Sequence, residues 1–89
     1  MTRLSNKVIT TNNRRTSIRL CSQEWNILED ACKNEKIHRN ELISLIEKNK
    51  ASNLGLSYAT RVFLLLYFRN LALEKTKENA LENSLKQLI

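Results

Sequence analysis

The chain has 89 residues, of which 42% are hydrophobic, and it carries a formal net charge of +6, one glycine and no proline. This length suits one small domain and excludes two independent cores, and the scarcity of turn-forming residues favours helices. The longest apolar run spans seven residues, 62–68, which excludes a membrane-spanning helix of about 20 residues.

The positive charge is concentrated near the start of the chain. Residues 1–20 contain five basic side chains and no acidic one, whereas residues 21–54 contain five basic and six acidic groups and residues 55–89 five basic and three acidic. A basic segment ahead of a balanced body indicates a polyanionic partner, nucleic acid before membrane. The alternative is that the segment is a solubilising, disordered tail.

Residues 1–13 are rich in Thr, Asn and basic groups without sustained periodicity, which predicts a flexible basic arm. Residues 15–20 then alternate in polarity, which is typical of a strand with one buried face. The alternation predicts two sets of side chains on opposite faces, Thr16, Ile18 and Leu20 on one and Arg15, Ser17 and Arg19 on the other. This is the only strand that the sequence predicts.

Three helices follow at about 23–35, 39–50 and 58–74, each with apolar residues at helical spacing. Ser22 is the expected N-cap of the first helix, and Ser57 can cap the third. Residues 74–89 form a charged C-terminal tail in which Leu81, Leu85 and Leu88 allow a short amphipathic helix.

A lone strand leaves a row of unpaired backbone groups, so the simplest partner is the same strand of a second copy. Antiparallel self-pairing is compatible with a two-fold axis. Apolar residues also surround the third helix, where Leu64, Leu65 and Phe68 lie opposite the main stripe, and a partner subunit could cover them. The sequence therefore predicts an obligate homodimer.

The ordered set of segments resembles a known family. The strand RTSIRL (15–20), a four-residue spacer and WNIL (25–28) look like the strand and first helix of ribbon-helix-helix proteins. The segment LISLI (42–46) is similar to their second helix, and residues 56–69 look like the added third helix of one bacterial branch. The resemblance covers about residues 13–72.

This resemblance implies a mostly α fold with one short strand at residues 14–73, an intertwined homodimer with an intermolecular two-stranded antiparallel ribbon, and an added C-terminal helix. The paired ribbon would enter the major groove of duplex DNA while the second helices meet phosphates. The implied contacts are Arg15, Ser17 and Arg19 with bases, and the backbone amides near His38, Arg39 and Asn40 with phosphates. Arg14, at the end of the ribbon, is suited to neutralise phosphates or to enter the minor groove.

Arginine suits base reading because its planar fork donates two hydrogen bonds to guanine. The resemblance implies a bacterial regulator of transcription that binds duplex DNA, and the use of only two cysteines indicates a reducing cytoplasm. The sequence contains no catalytic motif, metal-ligand cluster or cofactor loop, so we do not expect an enzyme, and the two cysteines are expected to be free thiols. The alternative is a protein-interaction module of antitoxin type whose C-terminal tail binds a partner protein.

Overall fold

A computed structural model describes residues 3–74 and 79–88. Its elements, in chain order, are β1 (Leu4–Thr11), β2 (Arg14–Cys21), α1 (Ser22–Glu35), α2 (Arg39–Asn49), α3 (Leu56–Glu74) and α4 (Ala80–Lys86). The three predicted helices are confirmed to within two residues at each end. No helix in this described part of the chain is long and apolar enough to cross a membrane.

The first two elements form an antiparallel hairpin whose register runs from Leu4 opposite Cys21 to Thr11 opposite Arg14. Its two-residue turn, Asn12-Asn13, has φ values of 48° and 66°. Positive φ at both central positions is the geometry of a type I′ turn, which matches the twist of the flanking strands. Asparagine tolerates this left-handed region better than most residues, so the chain reverses direction without glycine.

The hairpin corrects two predictions. Residues 4–11 of the predicted flexible arm form strand β1, and β2 is not a lone strand, because its partner lies in the same chain. The physical reason is that Ile9 and Thr11 project onto the side where β2 places its apolar residues, and both are buried. The polar composition of the segment concealed this short inward-facing pattern.

The inner face of the hairpin packs on α1, α2 and α3. Ile9, Ile18 and Leu20 are buried there, whereas Arg15, Ser17 and Arg19 are exposed. The predicted assignment of the two faces of β2 is therefore confirmed. The helices and the segment after them add further buried residues to this core: Trp25, Leu28, Ala31 and Cys32 of α1, Leu42, Ile43 and Ile46 of α2, Ala59, Phe63, Leu64 and Tyr67 of α3, and Ala80 and Leu88 near the C-terminus.

Helix α1 begins directly where β2 ends. Its N-cap position is Cys21, so the prediction that Ser22 is the N-cap is wrong by one residue. The carboxylate of Glu24 accepts a hydrogen bond of 2.8 Å from the backbone N–H of Cys21. An acidic residue at the third helical position commonly satisfies this donor. At the other end, Lys36 in the left-handed conformation terminates the helix.

The predicted C-terminal tail includes the short helix α4, which packs on α3. Ser84 and Leu88 are buried, and Asn70 of α3 donates hydrogen bonds to Ser84 Oγ (3.0 Å) and to Gln87 Oε1 (3.1 Å). Residues 75–78 and 89 of the predicted tail lie outside the described residues. On α3, Leu64 is covered by the chain itself, whereas Leu65 is 74% exposed.

The tip of the hairpin is tied to α2 through Glu47. This carboxylate accepts hydrogen bonds from Thr11 Oγ1 (3.0 Å) and Asn12 Nδ2 (2.9 Å) and pairs with the guanidinium of Arg14. Burial acts to raise the pKa of Glu47, but these hydrogen bonds and the charge of Arg14 outweigh it and hold the pKa below the ordinary value of 4.5. The ionised carboxylate therefore stabilises the folded hairpin.

We predict that Ile18→Asp unfolds the protein, because an unpaired charge would replace a fully buried aliphatic side chain. The expected loss exceeds about 3 kcal/mol, a large part of the stability of a small domain. Ser17→Ala, the adjacent change on the outer face, should alter stability by less than about 0.5 kcal/mol. Thermal unfolding followed by circular dichroism measures both, and equal tolerance of the two changes would show that the strand faces are assigned wrongly.

We predict that Glu47→Gln removes part of the acid sensitivity of folding. A carboxyl whose pKa is lowered on folding stabilises the protein above its ordinary value of 4.5, and this contribution is lost as the pH falls through the lowered folded-state pKa. Urea denaturation from neutral pH to about pH 3 should therefore show a shallower decline for Glu47→Gln than for the parent. Glu82→Gln, which alters an exposed carboxylate paired with Lys86, is the control and should follow the parent.

Candidate nucleic-acid interface

The face of the hairpin that points away from the helices carries the predicted base-reading residues. Arg15, Ser17 and Arg19 project from β2, and none has its side chain in the core. The residues directly opposite them on β1 share this face because cross-strand neighbours point the same way. They are Thr10, Val8 and Asn6, and all three are exposed.

The backbone of β2 at Arg19 is fixed by α3. Its N–H donates to Ser57 Oγ at 2.9 Å, and its carbonyl accepts a hydrogen bond of 3.1 Å from Arg61. The Ser57 hydroxyl therefore bonds to β2. The prediction that Ser57 caps the third helix is wrong, because α3 begins one residue earlier, at Leu56. The main chain is thus held at two atoms while the Arg19 side chain stays exposed on the outer face.

Arg61 reaches this strand from a position set by Glu24. Its Nε lies 3.0 Å from Glu24 Oε2, and both side chains are partly exposed. Burial acts to raise the pKa of Glu24, but the hydrogen bond from the Cys21 N–H and the bonds and charge of Arg61 hold it below the ordinary carboxyl value. One carboxylate therefore joins the start of α1, the end of β2 and the side of α3.

Of the four basic residues in β1 and β2, two do not lie on the outer face. Arg14 pairs with Glu47 at the hairpin tip, on the side of the helices. Lys7 lies over the ring of Trp25, with its Nζ 4.9 Å from the ring centroid, which is cation–π distance. The sequence predicted Lys7 on a flexible arm and gave no indication of this contact.

Trp25 connects the ribbon with the start of α2. Its Nε1 donates a hydrogen bond of 3.2 Å to the carbonyl of Ser5, and the guanidinium carbon of Arg39 lies 5.7 Å from the ring centroid. Trp25 itself is buried. One buried aromatic side chain therefore contacts both β1 and the first residue of α2.

The N-terminus of α2 forms one wall of a surface cleft of about 860 Å³. His38 is the N-cap residue, but its side chain makes no capping hydrogen bond. The cleft is lined by four residues able to carry positive charge, Lys33, Lys36, His38 and Arg39, and by Glu29 and Glu41 among others. Uncapped amides at a helix N-terminus favour anions.

Arg39 and Asn40 occupy the first two positions of α2. Arg39 is half-buried, and within the described residues its Nε is buried without a hydrogen-bond partner. Asn40 is exposed, and its backbone carbonyl accepts a hydrogen bond of 2.8 Å from Ser44 Oγ. The structure thus separates the predicted contacts into an outer ribbon face, a hairpin tip containing Arg14, and the α2 N-terminus.

Two buried ionisable side chains, Cys32 of α1 and Tyr67 of α3, have raised pKa values. Burial raises the pKa of the Cys32 thiol to about 11. Burial, together with the hydrogen bond that the Tyr67 hydroxyl donates to Glu35, raises the pKa of Tyr67 well above its ordinary value. Across residues 3–74 and 79–88, no three His, Cys, Asp or Glu side chains lie close enough together to hold a metal ion.

Comparison with protein families gives an independent result. A family model described as a ribbon-helix-helix domain matches residues 4–68, from the start of β1 into α3. Searches of curated proteins and of solved structures found no match to the chain. The matched range includes the hairpin, α1 and α2 in full, and domains of this family are typically DNA-binding regulators of transcription. The chain belongs to the ribbon-helix-helix domain family.

Proposed function

We propose that this chain is a sequence-specific regulator of transcription that binds duplex DNA as a homodimer. The outer face of the ribbon lies in the major groove, and Arg15, Ser17 and Arg19 contact base edges. The observation that carries the proposal is the pair of exposed arginines on one face of β2, whose other face is buried. A two-stranded β-ribbon fits the major groove.

The spacing of these side chains suits several consecutive base pairs. Arg15 and Arg19 are four residues apart on a strand, which places them roughly 13 Å from each other. Base pairs rise by about 3.4 Å, so the two guanidinium groups reach bases about four steps apart. Ser17, between them, is short enough to allow close approach and can donate or accept a hydrogen bond.

Phosphate contacts complete the proposed interface. The amides at His38, Arg39 and Asn40 carry the positive end of the α2 dipole, and the cleft beside them is rich in basic groups. Arg14 is 66% exposed although it pairs with Glu47, so its charge can contribute to phosphate attraction at the hairpin tip. These groups position the ribbon, whereas the outer-face arginines supply sequence discrimination.

Dimeric binding follows the behaviour of the family, whose members typically bind DNA as dimers. A two-fold axis doubles the number of base-reading side chains and matches a palindromic site. The antitoxin-type alternative receives no comparable support, because the described part of the tail that would bind a protein partner, residues 79–88, buries Ser84 and Leu88 in its own chain.

We predict that Arg15→Ala and Arg19→Ala each weaken binding to a duplex selected from a random-sequence pool by the parent protein. The expected loss is roughly 1–3 kcal/mol per bidentate contact, with discrimination against a scrambled duplex reduced as well. Both side chains are exposed, so the fold should persist. Fluorescence anisotropy with matched and scrambled duplexes measures affinity and selectivity together.

Arg69→Ala is the matched control, because it removes one exposed positive charge from α3, away from the ribbon. It should change the affinities for matched and scrambled duplexes equally and only slightly. If folded Arg15→Ala and Arg19→Ala proteins bind the selected duplex as tightly and selectively as Arg69→Ala, the ribbon does not read the bases.

A further inference from the structure

Strand β2 has two edges, and the helices already occupy part of one of them. The N–H and carbonyl of Arg19 bond to Ser57 and Arg61 of α3, and the N–H of Cys21 bonds to Glu24 of α1. A new strand added along this edge would have to break all three bonds. The structure therefore leaves no complete ladder available on this side of β2.

The other edge of β2 is covered by β1 along its whole length, with eight cross-strand residue pairs. Because the backbone groups of Arg19 point away from β1, the alternation of an antiparallel ladder makes Lys7 and Ile18 a hydrogen-bonded pair and Val8 and Ser17 a non-hydrogen-bonded pair. A second copy of β2 can form a full ribbon with this strand only where β1 now lies.

We infer that β1 is an intramolecular competitor for the dimer partner. It holds in cis the edge of β2 that a second copy's β2 takes in the dimer, so dimerisation through the ribbon requires β1 to be displaced. The inference rests on the proposed function in one respect: displacement of β1 controls DNA binding only if the dimer is the DNA-binding form.

The side chains of the two competing strands favour the second copy. On its inner face β1 presents Ser5, Lys7, Ile9 and Thr11, of which only Ile9 is a buried hydrophobic residue. A second β2 presents Ile18 and Leu20 to the same layer. Opposite Ile18, β1 offers the charged Lys7, which is exposed above Trp25. Pairing between copies therefore brings more apolar surface into the core.

Covalent connection favours β1 instead. A two-residue turn joins it to β2, and a short connection gives an effective concentration in the millimolar range or above. Thr11, the last residue of β1, and Asn12 of the turn both donate hydrogen bonds to Glu47 and so fix the end of β1 to α2. The monomer in which β1 pairs with β2 thus dominates in dilute protein. Higher protein concentration, or a DNA site that binds only the dimer, shifts the population toward the dimer.

A single substitution can lock β1 in place. Leu4 lies opposite Cys21 in a non-hydrogen-bonded pair, like Asn6 opposite Arg19. The Cα separation of such a pair, about 4.5 Å, is compatible with a disulfide. Leu4→Cys therefore allows a reversible bond to the native thiol without changing Arg15, Ser17 or Arg19. Leu4→Ser, treated with the same oxidant, is the control.

Sedimentation equilibrium and anisotropy on the same samples test the inference. Oxidised Leu4→Cys, purified as the intramolecular disulfide, should keep the monomer mass of 10.4 kDa at every concentration and bind the selected duplex at least about tenfold more weakly than after reduction. Reduced Leu4→Cys and Leu4→Ser should dimerise like the parent. An oxidised protein that dimerises as strongly as its reduced form would overturn the inference.

Two single proline substitutions test whether weakening the pairing of β1 with β2 promotes dimerisation. Lys7→Pro removes an N–H that donates to β2, whereas Val8→Pro removes one that points away from it, and proline is tolerated at that kind of edge position. Lys7→Pro should lower the dimer dissociation constant by about tenfold or more relative to Val8→Pro. Equal dissociation constants for the two variants would also overturn the inference.

Because dimerisation and DNA binding are measured separately, failure of this inference can be distinguished from failure of the proposed function. If the locked protein stays monomeric but no form binds DNA, β1 competes with the partner and the proposed DNA-binding function fails. If the locked monomer binds the selected duplex as tightly and selectively as the reduced protein, DNA binding is established and the inferred control by β1 is wrong.

Discussion

The burial of one face of the hairpin against three helices is the constraint on which the other features depend. Ile9, Ile18 and Leu20 are buried on this face, and the two-residue period of a strand then forces their neighbours outward. A shift of one residue in register would bring Arg15 and Arg19 into the core and expose Ile18. The same apolar contacts that stabilise the fold therefore orient the proposed base-reading side chains.

Polar contacts at the two ends of the hairpin refine this arrangement. Glu47 holds the tip, and Glu24 with Arg61 holds the last residues of β2. Trp25 contacts both β1 and Arg39 of α2. The ribbon and the α2 N-terminus are consequently parts of one packed unit, so the groups proposed to contact bases and phosphates are held together by buried side chains.

Much of this arrangement could be predicted from the sequence. The helices were predictable because apolar residues such as Leu28, Leu42 and Phe63 recur at helical spacing, and the faces of β2 because its polarity alternates without interruption. Strand β1 could not be predicted in the same way, because Ser5 and Lys7 interrupt its inward-facing pattern. The pair Asn12-Asn13 was the available signal, since asparagine tolerates the positive φ of a hairpin turn.

The candidate site was predictable where it depends on the local period of a strand and not where it depends on tertiary contacts. Arg15, Ser17 and Arg19 lie on the expected outer face. The pairing of Arg14 with Glu47 and the stacking of Lys7 and Arg39 on Trp25 join residues distant in the chain. No spacing rule within one sequence identifies such contacts.

The Asn12-Asn13 turn also affects how the chain folds. A hairpin closed by two residues joins segments that are neighbours in sequence, so little chain entropy is lost when it forms, and such hairpins form within about 1–10 μs. Strand β2 can therefore be paired on one edge early in folding, before a newly made chain meets a second copy. An early partner in cis also shields that edge from irregular pairing with other chains, the usual route by which exposed strand edges aggregate.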